Sequence, residues 1–315
     1  MERILYILLM LILFSCQKEL EFEGGDDTSR IVLNCVLESG EIIEVNLSNS
    51  KNILQEPSQY DSIVDATITI KNLAAGTSEL MTHSYNGIYF SSTVPQDGEA
   101  YRIIAEHNDL DSVSGNVTIP IAANINALYE QTIVHVGETY QDIIVEFTDD
   151  LNSDNYYEVN LTGKVETVYS DTLGNVLWTQ NDYIPVPFQI LDQGLKSDFY
   201  GTQLFLADDE ILSSSISVPC SIDLDLIQGY SGSDLLFIND TLSYEVLYDV
   251  KYTKIIAELK SISKAYHNYF VSVQAQIEAS GKFSAEAVNV YSNMSNGFGV
   301  FGAYSSARDS VEINR

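Results

Sequence analysis

Residues 242–252 read Leu242-Ser243-Tyr244-Glu245-Val246-Leu247-Tyr248-Asp249-Val250-Lys251-Tyr252. Leu242, Tyr244, Val246, Tyr248, Val250 and Tyr252 occupy every second position, and a period of two puts all six on one face of an extended chain. The segment predicts a long strand with an aromatic and aliphatic face. Runs of the same character lie upstream. Residues 143–147 and 156–161 flank the polar loop 148–155, and residues 165–169 and 176–180 flank Asp171-Thr172-Leu173-Gly174-Asn175, a hairpin signature. Residues 121–315 are therefore expected to form a β-rich domain.

Toward the N-terminus, residues 31–37, 42–47, 66–70, 87–91, 101–106 and 113–119 are short β-branched or aromatic runs separated by Gly, Pro, Asn and Asp clusters. Within them, Tyr89-Phe90 ends a strand, Pro95-Gln96-Asp97-Gly98 turns the chain, and Glu99-Ala100-Tyr101-Arg102-Ile103 resumes alternation. This pattern resembles immunoglobulin-like and carboxypeptidase-regulatory-like modules, where it is a structural hairpin, and residues 31–120 are expected to form an immunoglobulin-like β-sandwich. Thr118-Ile119-Pro120-Ile121 reads as its exit, because Pro ends a strand and stiffens the crossing. The fold class is mainly β.

One segment breaks the rhythm. Ile262, Tyr266, Tyr269, Phe270, Val273 and Ile277 recur at spacings of three and four, predicting an amphipathic helix near 262–279 with Ser261 as its cap and Gly281 beyond its end. At helical spacing such a stripe reads as a core face.

Composition narrows function. The formal charge is −30, from 45 acidic against 15 basic residues. Binding to phosphate backbones relies on clustered Lys and Arg, so nucleic acid is excluded as a partner. Anionic headgroups would repel such a surface, and the simplest role of the charge is solubility. An apolar fraction of 45% with 20 Tyr marks a folded chain. Cys35 lies in Ile31-Val32-Leu33-Asn34-Cys35-Val36-Leu37 and reads as a small buried strand residue. An exported compartment would let Cys35 pair with Cys220, but cysteine is too sparse for a disulfide-stapled domain.

The N-terminus carries the address. An apolar run of about 11 residues, 4–14, is too short for the ~20 a spanning helix requires and reads as a signal-peptide core behind Arg3. It ends in Leu13-Phe14-Ser15-Cys16, which resembles a bacterial lipobox apart from the bulky Phe14. Residues 1–15 are read as a lipoprotein signal peptide and Cys16 as the lipidated residue. Residues 16–30, with Glu19, Glu21, Glu23, Gly24, Gly25, Asp26 and Asp27, are read as an acidic flexible tether. Acidic residues directly after a lipidated Cys resemble a surface-export signal of Bacteroidota lipoproteins. The expected location is the outer membrane, lipid-anchored and facing the cell exterior.

No constellation for chemistry emerges. Gly297-Phe298-Gly299-Val300-Phe301-Gly302 spells G-x-G-x-x-G, yet the chain ends at Arg315, before any acidic residue about 20 positions on. Its glycines are read as points of strand twist or close backbone approach. Asp150-x-Asn152-x-Asp154-Asn155 imitates a calcium loop, but Leu161 stands where the bidentate Glu belongs, so it reads as a solvated turn. His83, His107, His135 and His267 lack metal-ligand spacing. Gly229-Tyr230-Ser231-Gly232-Ser233 misses the nucleophile elbow by its last residue. Catalytic, metal and cofactor residues are accordingly assigned as none, and the ligand is left open. Exposed Tyr residues or Trp178 could serve as stacking platforms.

The lipobox, the strands 31–37 and 64–70, Gly98-x-x-Tyr101, Thr118-Ile119-Pro120 and Asn155-Tyr156-Tyr157 resemble the Bacteroidota lipoproteins termed "domain of unknown function 4249". The terminal Ser292-Asn293-Met294-Ser295-Asn296-Gly297-Phe298-Gly299-Val300-Phe301-Gly302-Ala303-Tyr304 does so most specifically. Cys35 departs from the small residue, commonly Gly, expected there. The resemblance implies an outer-membrane lipoprotein with no established catalytic residues. It further implies a non-enzymatic accessory of a TonB-dependent β-barrel transporter, in substrate capture or receptor assembly. A glycan- or peptide-binding surface protein and an adhesive or envelope structural protein are the alternatives.

Overall fold

The computed structural model describes residues 29–51, 61–191, 198–200, 202–207, 213–238, 242–280 and 288–313. Cys16, the segment read as a signal peptide, most of the segment read as a tether and Gly281 lie outside them. The chain is mainly β.

The first strands are β1 (Ile31–Glu38), β2 (Glu44–Asn49), β3 (Thr67–Asn72), β4 (Ser78–Leu80), β5 (Thr82–Tyr85), β6 (Ile88–Phe90), β7 (Ala100–His107) and β8 (Leu110–Thr118). Next come β9 (Ile125–His135), β10 (Glu138–Thr148), β11 (Tyr156–Ser170), β12 (Val176–Pro185), β13 (Asp198–Tyr200), β14 (Gln203–Ala207) and β15 (Ser215–Asp223). A four-residue helix α1 (Leu224–Ile227) precedes β16 (Tyr230–Ile238) and β17 (Leu242–Ile262). The helix α2 (Lys264–Ser280) and β18 (Phe298–Glu312) complete the described chain.

One sheet of 11 strands runs β13-β14-β11-β17-β18-β1-β2-β6-β5, with β12 added to β11 and β16 to β17. Two small sheets, β4-β3-β7-β8 and β15-β10-β9, lie apart from it. Alternation explains the layering. In β1, Ile31, Leu33, Cys35 and Leu37 are buried while their neighbours are half-exposed. They join Ile68, Ile70, Tyr101, Ile103 and Val113 of the four-stranded sheet in a first hydrophobic cluster. The second cluster joins Val159 and Leu161 of β11 and Ala257 and Leu259 of β17 to Ile143, Val145, Val218 and Cys220 of the three-stranded sheet.

Residues on either side of Pro120 divide between these clusters, with three exceptions. Met294, Phe301 and Ala303 return from the far end of the chain to the first. Phe301 and Ala303 arrive on β18, and Met294 on the segment just before it; the first half of β18 pairs in parallel with β1, Val32 opposite Phe298 through Glu38 opposite Tyr304. Its second half pairs antiparallel with β17, Tyr304 opposite Ile262 through Glu312 opposite Lys254. Tyr304 is therefore the hand-over residue between both halves of the molecule. The neighbouring Ser305 hydroxyl lies 2.6 Å from both Asp97 Oδ1 and the Pro120 carbonyl, pinning the predicted turn to the predicted crossing.

The terminal motif has a structural role throughout. The Asn293 side chain exchanges two hydrogen bonds with the Phe301 backbone, at 2.8 and 2.9 Å. Ser295 N donates to the Ser114 carbonyl on β8 at 2.9 Å, tying the segment to the four-stranded sheet.

Helix α2 begins after Ser263, not Ser261. Ser261 is the penultimate residue of β17, buried, and its Oγ accepts from Ala123 N. Ser263 Oγ instead accepts from Tyr266 N at 3.3 Å, the geometry of an N-cap. The aromatic stripe packs on the sheet face opposite the two small sheets. Phe270 stacks on Phe205 at 4.3 Å and Tyr266 on Tyr304 at 6.3 Å. Ile277, also in the predicted stripe, is exposed. Under the helix lies Glu158, its side chain fully buried, with Oε1 accepting from Lys260 Nζ at 2.9 Å, Asn160 Nδ2 at 2.7 Å and Gln203 Nε2 at 3.1 Å. Burial, followed by the nearby Glu158 carboxylate, pushes the Tyr266 hydroxyl well above the ordinary tyrosine range.

Candidate functional site

Strands β11 and β17 do not stop where the second core stops. Thr253 forms a bulge between the pairs Lys164 with Lys254 and Val165 with Tyr252. An extra residue in one strand bends it and sharpens its twist. Beyond that point β18 has ended, and β12, β11, β17 and β16 run on as a four-stranded wing. The bulge also accounts for a break in pattern, since Tyr252 and Ile255 share a face although they stand three apart.

One face of the wing carries an aromatic row. Trp178 on β12 lies opposite Tyr169 on β11, and Tyr169 lies opposite Tyr248 on β17. The indole and the Tyr169 ring stack at 4.4 Å and 18°. Tyr169 and Tyr248 stand 6.3 Å apart, and Tyr248 meets Tyr230 of β16 edge to face at 6.3 Å. Cross-strand pairs of this kind stabilise a sheet, each by roughly 0.2–1 kcal/mol. Gly232, opposite Tyr248, makes room for it: a Cβ there would collide with the phenol. The near-miss nucleophile elbow is thus strand β16, and its Ser231 hydroxyl donates to Asp249 at 2.8 Å.

The row is open at its β12 end. All ten residues of β12 are exposed, and among the described residues β12 pairs only with β11. Trp178, 39% exposed, offers Tyr169 one face of its indole. Its other face is turned away from Tyr169, on the side of β12 where no described strand pairs. Gln180 and Asp182 follow on the same face of β12, and Gln180 Nε2 donates to Asp182 Oδ2 at 2.9 Å. Trp178 is the platform suggested by its residue type. The hairpin Asp171–Asn175, also anticipated, brings Tyr169 to it, whereas Tyr248 and Tyr230 arrive by long-range pairing.

The other sequence candidates separate. The loop of Asp150, Asn152, Asp154 and Asn155 borders a cleft of about 630 Å³ with Thr118, Ile121, Tyr156 and Lys264. Its polar groups are taken up locally: Asp150 Oδ1 accepts from Asn152 N at 3.1 Å and Nδ2 at 2.9 Å, which holds the Asp150 carboxyl below its usual range, and Asp154 Oδ2 lies 3.6 Å from Lys264 Nζ. Asn155 Nδ2 donates to Asp149 Oδ1 and the Asp150 carbonyl, both at 3.0 Å. This is an Asx-rich turn. Among the described residues no group of three His, Cys, Asp or Glu could hold a metal. His83 packs on Tyr89, His107 lies 3.2 Å from Asp65, and His267 packs on Tyr156. Gly299, at φ +104, presses on Leu33, a close backbone approach. Cys35 and Cys220 are free and buried, one in each cluster, and burial pushes both thiols far above their ordinary range.

Comparison with curated proteins finds no match. Among solved structures, the chain aligns with one titled "Complete structure of manganese lipoxygenase of Gaeumannomyces graminis and partial structure of zonadhesin of Komagataella pastoris". The two are 10% identical, the alignment covers 89% of this chain and 98% of the other, and the TM-score of 0.14 carries no argument. The family model described as "Domain of unknown function (DUF4249)" matches residues 17–310, nearly the whole chain, and the protein belongs to that family.

Proposed function

We propose that the protein is a non-enzymatic lipoprotein, anchored in the outer membrane through Cys16 and facing outward. In this reading it serves a TonB-dependent β-barrel transporter as an accessory that captures the transporter's substrate. The observation that supports capture is the wing, an exposed sheet extension with an aromatic row ending in a solvent-facing indole. Exposed aromatic rows bind by contact area with little loss of side-chain entropy, which suits a receptor that must also release its ligand. The acidic tether after Cys16 supports the outward address. Co-purification from gently solubilised outer membranes should recover a barrel partner, and recovery as a lone monomer overturns the accessory role. Cys16→Ser should move the protein to the soluble fraction, and continued membrane retention overturns the anchor.

A second reading rests on the same row: a glycan- or peptide-binding surface protein that works without a transporter. Ligand binding by the lone monomer, with no barrel recovered, would favour it.

A further inference from the structure

We infer that the open end of the aromatic row, Trp178 with Gln180 and Asp182, is a subsite for an uncharged oligosaccharide. The inference rests on the capture reading above and names the ligand class.

The geometry of the stack is the starting point. Trp178 and Tyr169 are nearly parallel at 4.4 Å, so they stand side by side across the strands, each shielding one face of the other. What remains of the indole is its outer face, and among the described residues no further strand pairs with β12 to cover it. The next member of the row has to be a flat group with a weakly polar face. A pyranose ring presents such a face of C–H groups, which packs on an electron-rich ring.

Polar groups follow at the spacing a saccharide can use. Alternation places Gln180 and Asp182 on the face of β12 that carries Trp178, about 7 Å and about 14 Å along the strand. Both are exposed. The hydrogen bond between them fixes the Gln180 amide, so its carbonyl and the Asp182 carboxylate offer acceptor oxygens to ligand hydroxyl groups. An apolar ring face bordered by a few fixed acceptors is the chemistry that saccharide binding requires.

Charge selects within the class. At −30 overall, the protein repels polyanionic chains at long range, which disfavours uronate or sulfated glycans and favours neutral ones. An extended peptide would have a different use for β12, adding to its open edge through backbone hydrogen bonds and needing neither the indole face nor the Gln180–Asp182 pair.

The chain offers a direct probe, because Trp178 is its single tryptophan. The purified protein is titrated with cello-, xylo-, manno-, laminari- and malto-hexaose and, separately, with a tryptic peptide digest, following indole emission. At least one neutral hexaose should change emission saturably. By calorimetry its affinity should fall about tenfold or more in Trp178→Ala, less in Trp178→Phe, and several-fold in Gln180→Ala/Asp182→Ala. A response to the peptide digest alone overturns the saccharide assignment and leaves capture standing. No response to either overturns it as well; co-purification of the barrel partner then tests the accessory role by itself. If Trp178→Ala abolishes that co-purification without any hexaose binding, the row is a partner contact and the inference is overturned.

Discussion

Gly299 lies opposite Leu33 in the parallel pairing of β18 with β1, at φ +104, so close that a Cβ on it would collide with the Leu33 carbonyl. Both constraints exclude L side chains, one through the backbone region and one through space. Gly299→Ala should cost about 3 kcal/mol or more, because the strain at positive φ adds to a forced separation of the two strands. Denaturant unfolding followed by circular dichroism measures it. A loss below about 1 kcal/mol would show that β18 does not approach β1 as described.

Phe301 carries the pairing into energetics. It is fully buried in the first cluster although it stands near the end of the sequence. Phe301→Ala should destabilise the protein by about 3–5 kcal/mol. The consequence is topological: residues 29–120 expressed alone lack this ring and leave the β1 edge unpaired, so they should aggregate or remain unfolded. A soluble 29–120 fragment with dispersed amide resonances would contradict that.

Much of this fold is legible in particular residues, and the failures have a common cause. The alternation of 242–252 reveals β17, and the break between Tyr252 and Ile255 marks the bulge where the core gives way to the wing. The hairpin at Asp171–Asn175 sets Tyr169 beside Trp178 through local turn chemistry alone. The pairing of β1 with β18 is invisible to such reasoning, because its partners are separated by nearly the whole chain and no local pattern encodes it. G-x-G-x-x-G shows what was hidden: its glycines signal close approach, but not to which strand. Ser261 does not cap the helix because β17 extends to Ile262, a length set by pairing with β11 and β18 rather than by propensity.

Lys260 and Glu158 form an ion pair under helix α2, the Glu158 side chain fully buried and the Lys260 side chain 14% exposed. Removing the lysine strands a carboxylate in a place water cannot reach. Lys260→Met should cost about 3 kcal/mol, and Glu158→Leu/Lys260→Met should recover most of that loss, since desolvation of the two charges offsets their attraction. A double-mutant cycle by thermal or denaturant unfolding reads the coupling. Additive losses would mean that the pair is not coupled.

Glu79 on β4 gathers the segment after β6. Its carboxylate accepts from the Thr93 hydroxyl at 2.6 Å, Ser92 N at 2.7 Å, the Ser91 hydroxyl at 2.8 Å, the Ser92 hydroxyl at 2.9 Å and Thr93 N at 3.1 Å. These bonds, the Thr93 hydroxyl first, hold its pKa at about 2 against an ordinary 4.5, although burial pushes the other way. Because the folded value is the lower one, the stabilisation is fully present above the unfolded pKa near 4.5 and is lost as pH falls through about 2. Half-burial in contact with solvent leaves an effect of about 1–2 kcal/mol. Stability measured from pH 6 to pH 2 should therefore fall less steeply in Glu79→Gln than in the parent over that window, with the two curves converging at the acid end. Parallel curves would show that these hydrogen bonds do not favour the charged carboxylate.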